Sequence, residues 1–143
     1  MKEYVSLSPS QTVEIGREIA NMLKSGDVIA LFGDLGMGKT CLISGIADGL
    51  GFSGEVSSPT FALVNEYIGG RLNLYHFDMY RVEGWEDLYS TGYFDYLESG
   101  GVLAIEWSEN IVAALPESVI EITIERTDET QRKITVEKRA EKS

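Results

Sequence analysis

Gly33-Asp34-Leu35-Gly36-Met37-Gly38-Lys39-Thr40 places a glycine, four residues, then glycine, lysine and a hydroxyl residue in succession, the spacing of a phosphate-binding P-loop. The pattern constrains the fold because it works only between a strand and a helix. The mostly apolar Asp27-Val28-Ile29-Ala30-Leu31-Phe32 before it reads as a buried parallel strand. The residues after it, from Cys41 to Leu50, read as a helix with Leu42, Ile43, Ile46, Ala47 and Leu50 on one face.

The residue types dictate the chemistry such a loop performs. Gly33, Gly36 and Gly38 lack a Cβ, so backbone N–H groups can close around a phosphate. The helix starting near Lys39 turns its positive dipole end toward the same anion. Lys39 is expected to reach the β- and γ-phosphates, and the Thr40 hydroxyl to ligate Mg²⁺. A glycine-rich turn that binds nothing is the bland alternative, which the full match of spacing and context disfavours.

The chain has 143 residues, enough for one domain with a real core, and 43% of them are hydrophobic. Met1-Lys2-Glu3-Tyr4 lacks the apolar core of a signal peptide, and no apolar run approaches a membrane span. Cys41 is the only cysteine, so no internal disulfide forms and a cytoplasmic location fits. A redox role for Cys41 beside a nucleotide is weaker than its role as a small residue in the helix. The net charge of −11 opposes direct contact with nucleic-acid phosphates, so a role in a nucleic-acid pathway is expected to run through a protein partner.

Along the chain, Lys2 to Leu7 reads as a short edge strand. Ser8 is a helix N-cap candidate with Pro9 as the first helical residue, and the helix is expected to run to about Lys24 before Ser25-Gly26. A strand over 61–67 and a returning strand over 72–77 flank a turn at Ile68-Gly69-Gly70-Arg71, where both glycines would supply positive φ. Two short helices between Gly84 and Ser99 break at Thr91-Gly92. Val102 to Ile105 is a buried strand, Asn110 to Leu115 a short helix, and 119–125 with 133–137 an antiparallel hairpin. The expected fold is an α/β, P-loop NTPase-like domain over residues 1–143: a central, mostly parallel sheet, antiparallel hairpin additions, and helices on both faces. Residues 139–143 read as a frayed tail.

A P-loop binds nucleotide; hydrolysis needs a further Mg²⁺ anchor and a group to position water. Glu106 follows an apolar strand as a Walker B acid does, and Asp78 follows Leu74 to Phe77 in the same way. Thr60, in Ser58-Pro59-Thr60, fits either a γ-phosphate switch or an ordinary turn. Trp107 fits nucleotide contact or core. His76, the only histidine, reads more readily as packed than as a base. The acidic, aromatic stretch from Trp85 to Tyr96 fits a partner-facing surface or a core role equally.

Four segments in this order, the P-loop, Ser58-Pro59-Thr60-Phe61, Tyr75-His76-Phe77-Asp78-Met79-Tyr80-Arg81 and Ile105-Glu106-Trp107-Ser108-Glu109, together resemble the TsaE (YjeE) family of small bacterial ATPases in tRNA threonylcarbamoyladenosine synthesis. The resemblance covers residues 8 to 138. It implies slow ATP hydrolysis with Mg²⁺ in support of TsaD and TsaB, which place a threonylcarbamoyl group on adenosine 37 of tRNAs reading codons that begin with A. It implies Thr40 and Glu106 as Mg²⁺ ligands, Lys39 on the phosphates, Thr60 in a switch-like segment and Asp78 as a catalytic or water-positioning acid. It implies Trp107 near the nucleotide, and Thr12 and Arg132 beside the adenine. Gly33, Asp34, Leu35, Gly36, Met37, Gly38 and Cys41 complete the nucleotide-binding set. Met37 stands where the family usually has Ala, and Cys41 where it usually has Thr. A small-metabolite kinase and a non-hydrolysing ATP sensor are the competing readings; the sparse Arg and Lys between residues 72 and 131 argue against the first.

Overall fold

The computed structural model describes residues 2–33, 37–52, 64–79, 82–106 and 108–138. In chain order they form β1 (Lys2–Ser6), α1 (Pro9–Ala20), β2 (Val28–Gly33), α2 (Met37–Gly49), β3 (Val64–Tyr67) and β4 (Leu74–Asp78). Then follow α3 (Trp85–Ser90), α4 (Tyr93–Leu97), β5 (Val102–Glu106), a 3₁₀ segment (Ser108–Ala114), β6 (Ile120–Arg126) and β7 (Arg132–Lys138).

All strands join one seven-stranded sheet in the order β1-β7-β6-β2-β5-β4-β3. The four inner strands β6, β2, β5 and β4 are parallel. The outer strands β7, β1 and β3 are antiparallel additions. β2 is central, and its apolar run is buried on both faces, as a parallel strand covered by helices requires. Successive residues split between two cores. Ile29 and Leu31 pack with Ile19, Leu42 and Ile46 of α1 and α2. Val28 and Ala30 pack with Phe77, Leu88, Tyr93 and Ile105 on the opposite face. Each fully buried aliphatic or aromatic side chain contributes about 1.5–3 kcal/mol.

Ser8 caps α1 as its sequence position predicts: its side chain accepts from the Gln11 N–H at 3.2 Å, and Pro9 opens the helix. The helix ends at Ala20, four residues before the expected Lys24. Asn21, Met22 and Leu23 donate to Glu18, Ile19 and Ala20, so the chain tightens into i→i+3 turns. The Arg71 guanidinium donates to the carbonyls of Ala20 (2.9 Å) and Leu23 (3.3 Å), supplying a cation at the negative end of the helix.

The turn before β4 also differs from expectation. Gly69 has φ +110°, but Gly70 is not among the glycines with positive φ. Gly70 is there for closeness: a Cβ on it would lie 3.0 Å from the Leu50 carbonyl carbon and the Phe52 nitrogen. The expected helix at Asn110 is a 3₁₀ segment interrupted at Ile111 (φ −131°, ψ 29°). The aromatic stretch divides. Tyr93 is fully buried and donates to the Ala114 carbonyl (2.9 Å), whereas Trp85 and Tyr89 are 54% and 66% exposed. Phe94 lies against both of them, at ring-centroid distances of 6.3 and 4.9 Å. No helix among the described residues is long and apolar enough to cross a membrane.

Candidate active site

Of the described candidate residues, Gly33, Asp78 and Glu106 lie at the carboxyl ends of inner parallel strands, the edge where open α/β sheets bind ligands. β2 ends at Gly33, where φ is +116° and a Cβ would collide with the Ile124 backbone of β6. Only glycine satisfies both conditions there. α2 starts at Met37, so Gly38, Lys39, Thr40 and Cys41 form its first turns. Lys39 is 7% exposed, Thr40 is exposed and Cys41 half-buried.

Glu106 closes β5 and lies beside Lys39. Its Oε1 is 3.7 Å from Lys39 Nζ, and its Oε2 is 2.7 Å from His76 Nε2 of β4. The His76 hydrogen bond holds the Glu106 carboxyl below the usual carboxylate range; burial opposes that shift and the Lys39 charge assists it. Asp78, the last residue of β4, is paired in register with Glu106, so the two carboxylates share one face of neighbouring strand ends. The Met79 N–H binds the Glu106 carbonyl at 3.0 Å, fixing the two ends together.

Thr12 and Arg132, distant in sequence, meet in one cleft of about 370 Å³, a volume at the small end of ligand pockets. Gly38 and Cys41 line the same cleft. The Thr12 hydroxyl is committed within the protein, 2.7 Å from Ser6 Oγ and 3.3 Å from the Ser8 carbonyl. A Cβ on Gly38 would approach Arg132 Nε at 3.8 Å, ordinary contact distance. Asp34, Leu35, Gly36, Thr60 and Trp107, and the side chain of Met37, lie outside the described residues.

His76 is the residue whose partner the sequence left unread. It is partly buried, as a packed residue would be, but its ring nitrogen binds Glu106. The signal was its position two residues before Asp78 on one strand, which puts both side chains on the same face.

The donor set suits a hard cation. Mg²⁺ is commonly held by one or two carboxylates together with substrate phosphates and water, and Glu106 and Asp78 provide carboxylates beside the phosphate-loop helix. Among the described residues no group of three or more His, Cys, Asp or Glu side chains is placed to hold a metal alone.

A central parallel strand that ends at a positive-φ glycine, followed in the chain by a lysine-bearing helix and flanked by a parallel strand that ends in an acidic residue, defines a P-loop α/β protein. A family model described as "Threonylcarbamoyl adenosine biosynthesis protein TsaE" matches residues 6–134, and the chain belongs to the TsaE family. It is 40% identical over 132 residues to the tRNA threonylcarbamoyladenosine biosynthesis protein TsaE of Treponema pallidum, covering 92% of this chain and 97% of that one. It is 41% identical over 134 residues to the Bacillus subtilis protein of the same description, covering 93% and 83%. The crystal structure of Bacillus subtilis YdiB superposes with a TM-score of 0.77 at 34% identity, covering 97% of this chain and 86% of that one.

Proposed function

We propose that this chain is a Mg²⁺-dependent ATPase of one domain, acting in the cytoplasm with TsaD and TsaB as they form threonylcarbamoyladenosine 37 on tRNAs that read codons beginning with A. The observation that carries the reading is the Lys39–Glu106 pair, 3.7 Å apart at the strand ends, with Asp78 in register beside it. Membership of the TsaE family supplies the pathway.

In this reading Lys39 leaves Glu106 to contact the β- and γ-phosphates, which frees the carboxylate for a cation. Thr40 and Glu106 hold Mg²⁺, which when bound neutralises charge on the phosphates. Asp78 orients the attacking water, and Thr60 senses the γ-phosphate. The backbone from Gly33 through Asp34, Leu35, Gly36, Met37 and Gly38 surrounds the phosphates, with Cys41 behind them in α2. Trp107 lies near the nucleotide, and Thr12 and Arg132 line the cleft for the adenine. The exposed Trp85 and Tyr89, bordered by the exposed Glu83, Glu86, Asp87 and Asp95, are the candidate face for the partner proteins, and tRNA is served only through them.

The test is Mg²⁺-ATP hydrolysis by this chain alone and with purified TsaD and TsaB. Marked stimulation by the pair is expected, and Lys39→Ala should abolish nucleotide binding because its charge-assisted phosphate contacts are lost. Tight ATP binding without stimulation would overturn the partner-gated reading. Unchanged ATP affinity in Lys39→Ala would overturn the phosphate-loop assignment itself.

A further inference from the structure

We propose that His76 is a positioning residue that fixes the Glu106 carboxylate in the orientation required to receive Mg²⁺. The proposal rests on the ATP-binding reading above and adds a residue to it.

The two oxygens of Glu106 are committed differently. Oε2 is bound by His76 Nε2 at 2.7 Å, a full hydrogen bond, whereas Oε1 is 3.7 Å from Lys39 Nζ, an ion pair without one. One oxygen is thus anchored by the protein, and the other faces the P-loop helix, held among the described residues by a charge that nucleotide entry would draw away. The anchor comes from the sheet. Parallel pairing sets His76 opposite Ala104 and Asp78 opposite Glu106. Ala104 is fully buried and small, and the imidazole bonds the next residue of the same face of β5, Glu106. The ring and the carboxylate are 15% and 18% exposed, so water competes weakly for either partner.

An unanchored glutamate has three side-chain torsions, and ordering them is part of the cost of binding a cation. A hydrogen bond that the protein supplies from its own sheet removes much of that cost and leaves Oε1 for the cation. Loss of such an outer partner typically weakens metal affinity about 10–100-fold. The role asked of His76 is to donate a hydrogen bond from Nε2, with no change of its charge.

The experiment follows binding of a fluorescent ATP analogue as Mg²⁺ is titrated, without turnover. His76→Ala is expected to raise the Mg²⁺ concentration at half-effect about 10–100-fold, with nucleotide affinity in the absence of Mg²⁺ changed less than about 3-fold. His76→Gln, whose terminal amide nitrogen reaches the region of Nε2, should restore the wild-type titration to within about 3-fold, whereas the shorter His76→Asn should not. This split between two amides of equal polarity separates positioning from a purely structural role, and thermal melting confirms that each variant is folded. An unshifted Mg²⁺ titration in His76→Ala, or equal loss in Gln and Asn variants, overturns the proposal. A wild-type chain whose nucleotide binding ignores Mg²⁺ overturns instead the reading on which it rests.

Discussion

Replacing Gly16 with alanine tests how closely the helix carrying Lys39 is held. A Cβ at Gly16 would lie 2.5 Å from the Leu42 carbonyl oxygen, and 2.9 Å from both Gly45 Cα and Ile46 N. All three are backbone atoms of α2, so no rotamer change relieves the contact. Restoring an ordinary separation of about 3.5 Å requires α1 and α2 to part by about 1 Å. A gap of that size forfeits a quarter to a half of the dispersion energy of the contacts it opens, and these include Ile19, Leu42 and Ile46 of one core. Overpacking of this kind costs about 1–3 kcal/mol, and the opened contacts add to it. The better helix propensity of alanine returns about 1 kcal/mol. The expected net loss is about 2–3 kcal/mol, which in a domain of this size lowers Tm by roughly 6–12 °C. Nucleotide affinity should fall as well, because α2 carries Lys39 and Thr40 with it. Thermal and urea unfolding measure the loss, with Ser44→Ala on the exposed face of the same helix as a control expected within about 0.5 kcal/mol. A Gly16→Ala protein as stable as wild type, or more so, would refute the backbone-to-backbone packing of the two helices.

Burial pushes the Tyr93 hydroxyl up to about 12. A raised folded value means that the neutral form is favoured by folding, so its contribution is fully present below the unfolded value of about 10 and is lost as pH rises through about 12. Tyr93→Phe should lower stability at pH 7 by about 1–2 kcal/mol, because the Ala114 carbonyl loses its donor. It should also flatten the decline of stability between pH 10 and 12, read by urea midpoints across that window; an unaltered slope would remove Tyr93 as its source. Arg71→Ala should destabilise by about 1–2 kcal/mol, since two carbonyls at the end of α1 lose a charged donor. Denaturant unfolding reads the effect, and Arg71→Lys, without the forked geometry, should recover only part of it.

The elements readable in the sequence were those whose reasons are local. The strand before and the helix after the P-loop motif, Ser8 and Pro9 at the start of α1, the break at Gly92 (φ +80°) and the final hairpin each follow from a few adjacent residues. Errors fell where a distant partner decides. α1 stops at Ala20 although apolar Met22 and Leu23 continue its pattern, and the carbonyls of Ala20 and Leu23 at its end bind Arg71, some fifty residues later. Gly70 resembles half of a tight turn in sequence, yet it is the Leu50–Phe52 backbone that excludes a side chain there. The stretch from Trp85 to Tyr96 offered no means of separating exposed from buried aromatics. α3 is only six residues long, too short for periodicity to discriminate, and the difference between Tyr89 and Tyr93 comes from packing against the sheet.

The same division runs through the site. Lys39 and Thr40 lie in the first turn of α2, where the motif alone puts them, and Glu106 and Asp78 could be recognised singly as acids ending apolar strands. Their relation could not, because it depends on β5 lying between β2 and β4. Once that order is set, parallel register brings Asp78 level with Glu106 and His76 level with Ala104, from where its ring bonds Glu106. A histidine in the middle of a strand has no functional signature of its own. It acquires one only from a carboxylate thirty residues away, and only if both strands run in the same direction. The apparently bland alanine opposite it is therefore open to test: with Ala104 buried and in register with His76, Ala104→Val is expected to push the imidazole away from Glu106 and to shift the Mg²⁺ titration as His76→Ala does, and an unshifted titration would show that the size of this residue does not matter to the pair.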